Sequence, residues 1–207
     1  MPLHRLVLLL GFLLAWVLPA GADLPKSTPD LRAGSLTGQL LVATQEIGDP
    51  RFAHTVILLL QHDREHGALG IVINRPAGER SWTSLLDAIG QQEPDAKGSV
   101  RVFAGGPVEP WLGFVLHSSD YHRAETVAVD AHISVTANGA ILRDLARGKG
   151  PSKSRVAFGY AGWGPGQLES ELAMRAWFTE PADAKLIFDT DPDKLWDEAV
   201  ARRTLPL

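Results

Sequence analysis

The chain has 207 residues, 45% of them hydrophobic and 21% charged with both signs interspersed, which is enough apolar material for a substantial core and one globular domain. It contains no cysteine, so disulfides, thiolate nucleophiles, iron–sulfur clusters and cysteine-ligated zinc are excluded. A formal charge of −4 disfavours the broad basic footprint that nucleic acid or anionic lipid requires.

In chain order, the first segment carries Arg5, then an unbroken apolar run from Leu6 to Leu18, then small residues at Ala20 and Ala22. That is the pattern of a secretory signal peptide, and the run is shorter than the roughly 20 residues a membrane-spanning helix needs. Cleavage after Ala22 predicts a periplasmic protein with no membrane span, starting at Asp23. The alternative is an uncleaved anchor, or a misassigned start codon and a cytoplasmic protein. Residues 23–35 are polar, Pro-containing and aperiodic, a flexible lead-in. Residues 36–207 are expected to form the single folded domain.

Strands are predicted at "LTGQLLVAT", "TVILLLQ", "ALGIVIN", "SVRVFA", "GFVLH", "TVAVD", "SRVAFGY" and "KLIFD", each a β-branched or leucine-rich run of strand length. The break "HDREHG" has the length of a hairpin connection. Helices are predicted at "SWTSLLDAIG", capped by Ser81 and stopped by Gly90, and at "NGAILRDLARG", closed by Gly148. Two more are predicted: "GQLESELAMRAW", with Leu168, Leu172, Ala173 and Ala176 on one face, and "DPDKLWDEAVARR", capped by Asp193. Strands outnumber helices without regular alternation, which indicates an α+β fold around a mixed, largely antiparallel sheet.

Six blocks, "DPRFAHTVILL", "GALGIVINRP", "VFAGGPVEP", "GFVLH", "VAFGYAGWGPGQLESEL" and "LIFDTDPDKLWDEAV", resemble in order and spacing the YqgE/AlgH family of bacterial proteins. The resemblance spans about Leu36 to Val200. It implies a single α+β domain whose sheet curls into a pseudo-barrel with a few flanking helices. It supplies no reaction, and it associates some members with transcriptional regulation. Members usually begin near the "LTGQLLVAT" strand and look cytoplasmic, so the exportable leader is a departure.

The glycine-rich approach to the third helix, Gly159, Gly162, Gly164 and Gly166, invites a phosphate-loop reading. The first turn after it carries Glu169 and Glu171, which already complement the helix dipole and would repel phosphate, and no Gly-Lys-Ser/Thr ending follows. Tight turns packed around Trp163 are the simpler account. The remaining ligand reading makes Tyr160, Trp163, Gln167 and Glu169 a ligand-facing wall. His62 and His66 are four apart, the zinc-protease spacing, but they sit in a hairpin turn with Asp63 where that motif has Glu, so they read as a solvated polar turn. No metal and no cofactor is expected.

Ligand-capable residues gather at strand ends. Arg51 is suited to bidentate carboxylate or phosphate binding and His54 to acid, base or donor roles, while Asp49 and Pro50 form a turn. The competing account is that Asp49 caps that turn and pairs with Arg51. Asn74 and Arg75 end one strand before Pro76, and Gly105 and Gly106 end another before Pro107, where paired glycine amides can form an anion-holding nest. Loop geometry without a ligand explains these as well. His117 stands beside Ser118, Ser119 and Asp120, yet strand neighbours point to opposite faces, so adjacency is no triad. His122, His132, Arg202 and Arg203 read as surface residues.

The expectation is a non-enzymatic domain that binds an unknown small polar or anionic ligand, or a protein partner, at these strand ends. A hydrolase or transferase using His54 or His117 as base with Glu169 is the alternative. A transcriptional regulator is the third reading, opposed by the acids in "DPDKLWDEAVARR".

Overall fold

The computed structural model describes residues 34–91, 93 and 95–203. The leader and all but the last two residues of the lead-in lie outside the described residues. Among them the strands are β1 (Gln39–Ala43), β2 (Val56–Asp63), β3 (Gly67–Val72), β4 (Pro76–Ser81), β5 (Ser99–Ala104), β6 (Val108–Ser118), β7 (Thr126–Ala128), β8 (Ile133–Thr136), β9 (Ser154–Trp163) and β10 (Trp177–Pro181). The helices are α1 (Trp82–Ala88), α2 (Ala140–Ala146), α3 (Gln167–Ala173), α4 (Ala184–Asp189) and α5 (Pro192–Arg203). The class is α+β: a half-barrel sheet, antiparallel apart from the parallel β5–β9 pair, with short helices against it.

The sheet runs β10-β1-β2-β3-β9-β6-β8-β7, with the β4–β5 pair branching onto β9. β9 is long enough to change partners along its length. Ala161–Trp163 pair with β3, while Val156–Phe158 lie between β5 and β6. This shared strand is what carries the curl from one half of the sheet to the other.

Both faces of the central strands are covered, which is why β1 and β2 read as continuous apolar runs. Leu40, Val42, Val56 and Leu58 point to one cluster together with Ile71, Phe114, Leu186, Ile187, Leu195 and Ala199, the last four from α4 and α5. Leu41, Ala43, Ile57 and Leu59 point the other way, to Trp163, Leu168 and Trp177. A third cluster lies under α1 and α2 around Leu86, Val115, Ile141 and Val156. Each such side chain taken fully out of water contributes about 1.5–3 kcal/mol.

Four expectations change. "KLIFD" is not a strand but α4, because the Asp183 carboxylate accepts from Lys185 N–H (2.8 Å) and Leu186 N–H (3.2 Å) and starts a helix whose Leu186 and Ile187 are buried. A short buried helix and a short buried strand have the same apolar run. Asp193 does not cap α5. The helix begins one residue earlier at Pro192, and the Asp191 carboxylate accepts from Asp193 N–H at 3.2 Å. The third helix stops before Ala176, at Ala173, which is exposed, and the "WFTEP" that follows is β10. Two strands, β4 and β8, go beyond those predicted: β4, "PAGERS", is exposed at every position, and β8 has four residues.

Candidate functional site

The strand ends expected to share a site do lie side by side. Val72 N–H donates to Gly105 O (2.8 Å), Ala104 N–H to Arg75 O (2.9 Å), and the Arg75 guanidinium to Ala53 O (2.6 Å). Segments 49–56, 74–75 and 104–106 thus form one continuous face. Asn74 is the keystone of its interior. Its Oδ1 accepts from Val56 N–H (2.8 Å) and its amide donates to His54 O (2.9 Å), which uses both ends of a buried side chain.

Above that anchor, Asp49 caps the short 3₁₀ turn Pro50–Phe52 by accepting from Arg51 N–H at 2.9 Å. The Arg51 guanidinium also reaches Asp49, through Nη2 at 2.6 Å. Hydrogen bonding to Arg51, against a smaller effect of burial, holds the Asp49 carboxyl below its usual range. The Arg51 side chain is nevertheless 66% exposed. His54 is exposed at a left-handed φ of 57°, with its ring 4.3 Å from that of Trp196. Arg51 and His54 therefore stand at the surface on a loop that Asn74 and the exposed Arg75 fasten.

The glycine pair serves the sheet. Gly105 N–H donates to Phe158 O at 2.7 Å, and a Cβ on Gly106 would lie 2.0 Å from the Tyr160 carbonyl carbon. Here β5 crosses β9 at backbone contact, and the Gly105 amide is directed into the ladder.

The residues of the glycine-rich stretch separate. Tyr160 is 3% exposed in the same cluster as Phe114, and burial raises its phenol above the usual value. Trp163 lies on the other face, where the Glu171 carboxylate gathers three donors: Trp163 Nε1 (2.9 Å), Trp177 Nε1 (2.7 Å) and Gln167 Nε2 (2.9 Å). Gln167 Oε1 accepts from Gly164 N–H, so Gln167 links the glycine turn to that carboxylate. Trp163 and Gln167 are thus brought together on Glu171, while Tyr160 and Glu169 are not among its partners.

Glu169 meets a histidine, but neither of the two expected. His62 Nε2 lies 3.1 Å from Glu169 Oε1. His62 is buried, which corrects its reading as part of a solvated turn; His66, paired with Asp63, is the exposed one. Because His62 Nδ1 accepts from Leu36 N–H (3.0 Å), the proton sits on Nε2 and is donated to Glu169. His117 is fully buried. Its Nδ1 donates to Ser118 O (2.9 Å) and its Nε2 faces Thr136 Oγ1 (3.0 Å), while Ser118 Oγ donates to Asp120 instead. Burial lowers the His117 imidazole below its usual value. Among the described residues there is no group of three or more His, Asp and Glu side chains that could hold a metal.

Sequence reasoning missed Arg155. It is 6% exposed, donates to Ile73 O and Thr190 O (both 2.9 Å), and lies 5.0 Å from the Phe103 ring centroid. Burial lowers its guanidinium to about 10. It braces the strand-end face from inside, tying β3 to the α4–α5 link. An arginine alternating with apolar residues in "SRVAF" was the available signal.

A curled mixed sheet with helices on both faces and polar strand ends defines an α+β half-barrel domain. The chain belongs to the AlgH-like family, whose model matches residues 40–207. It is 42% identical over 183 residues to a UPF0301 protein of Methylococcus capsulatus, covering 88% of this chain and 99% of that one. It is 47% identical over 169 residues to a UPF0301 protein of Rhodospirillum rubrum, covering 82% and 88%. The solution structure of the AlgH protein from Pseudomonas aeruginosa superposes with a TM-score of 0.72 at 35% identity, over 84% of this chain and 91% of that chain. A crystal structure from Corynebacterium diphtheriae shares the fold at 21% identity with a TM-score of 0.63, covering 82% and 87%.

Proposed function

We propose that the chain is a non-enzymatic binding domain whose strand-end face, presenting Arg51, His54 and Arg75, takes a small anionic ligand or an acidic group of a protein partner. The observation that carries the reading is the mounting of this face. Asn74 and Arg75 fasten the backbone of the 49–56 loop through Val56, His54 and Ala53, so His54, Arg75 and Arg51, the last paired with Asp49, are presented from a fixed backbone at the surface. A guanidinium has five N–H donors, and Arg75 uses one on Ala53. Pre-organised donors of this kind favour binding, since little side-chain freedom is lost on contact. Titration with inorganic phosphate, followed by amide NMR shifts, tests it. Saturable shifts confined to residues 49–56 and 74–76, lost in Arg51→Ala/Arg75→Ala, are expected; unchanged spectra at millimolar phosphate would overturn the reading.

A hydrolase or transferase is the second reading, favoured by the 3.1 Å contact between His62 and Glu169. Against it, both ring nitrogens of His62 are engaged, leaving none to exchange a proton with substrate. Screening phosphoesters and acyl esters with the native chain and with His62→Ala separates the two. Turnover lost in the variant would favour the enzyme.

Direct transcriptional regulation is opposed by α5. Its Leu195 and Ala199 are buried against the sheet, and Asp193, Asp197 and Glu198 line its length. No helix among the described residues is long and apolar enough to cross a membrane. Periplasmic export, with a mature start at Asp23, is part of the proposal and rests on the leader's composition. Mass spectrometry of the native N-terminus decides it, and a start near Leu36 in the cytosolic fraction would return the domain to the cytoplasm.

A further inference from the structure

One end of the sheet is β10, and a single hydrogen bond orients its outer edge. Thr44 N–H donates to Ala176 O at 2.9 Å, and the same register places Val42 opposite Phe178 and Leu40 opposite Glu180. Antiparallel ladders alternate hydrogen-bonded and non-hydrogen-bonded pairs, so Phe178 and Glu180 turn their main-chain groups toward β1 while Trp177, Thr179 and Pro181 turn theirs away. Pro181 thereby stands where a missing N–H leaves the ladder intact. Among the described residues, the N–H and C=O of Thr179 have no hydrogen-bond partner.

This edge borders an open cleft. Thr179, Glu180 and Pro181 form one wall of a cleft of about 740 Å³, bounded by the β7–β8 turn at His132, the start of α4 and the C-terminal end of α5. Three carboxylates, Asp130, Glu180 and Asp183, and two guanidiniums, Arg202 and Arg203, line it, which leaves an excess of negative charge. Most of these charges are already engaged. Asp130 accepts from His132 and Ile133 N–H, Asp183 caps α4 and accepts from Arg202 (2.8 Å), and Arg203 lies 4.6 Å from the Phe178 ring centroid. Glu180 has no ion pair within 4.0 Å among the described residues, and burial raises its carboxyl against the pull of Arg202 and Arg203.

We infer that the β10 edge accepts an extended segment of a partner polypeptide as an added strand, with a lysine or arginine of that segment beside Glu180. Strand addition draws affinity from main-chain hydrogen bonds and selectivity from cross-strand side-chain pairs, and opposite charges are a favourable pair. The charge of the cleft selects this occupant: two copies of the same acidic edge repel one another, whereas a segment that carries a cation is attracted. The three residues of β10 that line the cleft, Thr179, Glu180 and Pro181, offer about 10 Å of edge. The inference is independent of the strand-end face.

The test selects heptapeptides from a random phage-displayed library against the full chain in 0.15 M salt, then measures the synthetic winners by fluorescence anisotropy. Winners alternating in hydrophobicity with Lys or Arg at one fixed position are expected. Thr179→Pro removes the outward N–H but no bond to β1, and should weaken them tenfold or more. Glu180→Lys should move the preference at the fixed position to Asp or Glu. Equal binding by a folded Thr179→Pro, an unchanged charge preference in Glu180→Lys, or a library without winners overturns the inference. A dimer that dissociates on Thr179→Pro would assign the edge to a second copy. Slow hydrogen exchange at Thr179 in the isolated monomer would assign it to the chain itself. Should Thr179→Pro fail to fold, the Glu180→Lys charge swap decides alone.

Discussion

Gly67 and Gly106 have the least room of any side-chain addition at a positive φ. A Cβ on Gly67, at φ 83°, would lie 2.1 Å from Trp163 O, and one on Gly106, at φ 154°, would lie 2.0 Å from the Tyr160 carbonyl carbon. Both neighbours are backbone of β9, which cannot rotate away. Gly67→Ala and Gly106→Ala should each cost at least about 3 kcal/mol, adding overpacking to the left-handed penalty, readable as a lowered urea midpoint. Asn74 makes a different demand. Asn74→Ala leaves Val56 N–H and His54 O unpaired beneath the strand-end face, and a loss of about 2–4 kcal/mol is expected. Asn74→Asp keeps the acceptor but sets a carboxylate against the His54 carbonyl, so its deficit should shrink as the pH falls through the carboxyl range. The sequence marked Asn74 and Gly106 as special without showing why: the partners of both arrive from strands 18 or more residues away in the chain.

Three helices end in the same hydrogen-bonded motif, and one of them does so without glycine. After α1, Gly90 N–H donates to Asp87 O and Gln91 N–H to Leu86 O; after α2, Gly148 and Lys149 donate to Leu145 and Asp144. After α3, Arg175 N–H donates to Leu172 O and Ala176 N–H to Glu171 O, with Arg175 at φ 59°. These are Schellman closures, in which the left-handed position favours glycine. Arg175→Gly should therefore stabilise the domain by about 1 kcal/mol, the left-handed penalty less the entropy glycine loses on folding, measured by urea unfolding. The glycine stops at Gly90 and Gly148 were legible for this reason. The stop at Arg175 is not, and the predicted helix runs on over Met174, Arg175 and Ala176 into Trp177, the first residue of β10.

At the scale of the whole molecule, stability follows the carboxylates and the buried imidazole. Burial raises the Asp63 carboxyl, but hydrogen bonds from His66 N–H, Gln61, the His66 ring and Glu65 N–H outweigh it and bring it down to about 2 from 3.8. A group depressed in the folded state favours folding above its unfolded value and loses that contribution as pH falls through the folded one. Asp63 thus supports the fold above about pH 4 and ceases to do so near pH 2. Asp49, Asp120, Asp144 and Asp183 shift in the same direction. His117, held neutral by burial, adds a loss that begins as pH falls below about 6.5, where the unfolded chain takes up the proton first. Thermal melts should therefore decline gently from pH 6.5 and steeply below pH 4. His117→Gln should remove the shallow limb and leave the steep one.

Local chemistry in the sequence determined the runs that became β1, β2, β3, β5 and β9, the capped start of α1, the glycine ends of α1 and α2, and the six blocks that assign the family. These depend on side-chain period, turn residues and capping groups, all of which act within a few positions of themselves. The tertiary structure alone decided that "KLIFD" is helical, that "PAGERS" is a strand, that His62 and not His54 or His117 meets Glu169, and that Arg155 lies inside. Each of these depends on a partner far along the chain: 107 positions separate His62 from Glu169, and 82 separate Arg155 from Ile73. A buried run is apolar whether it coils or extends, and a polar side chain has the same letter whether it binds a ligand or its own backbone. What distinguishes the two outcomes is the donor or acceptor that folding brings to it.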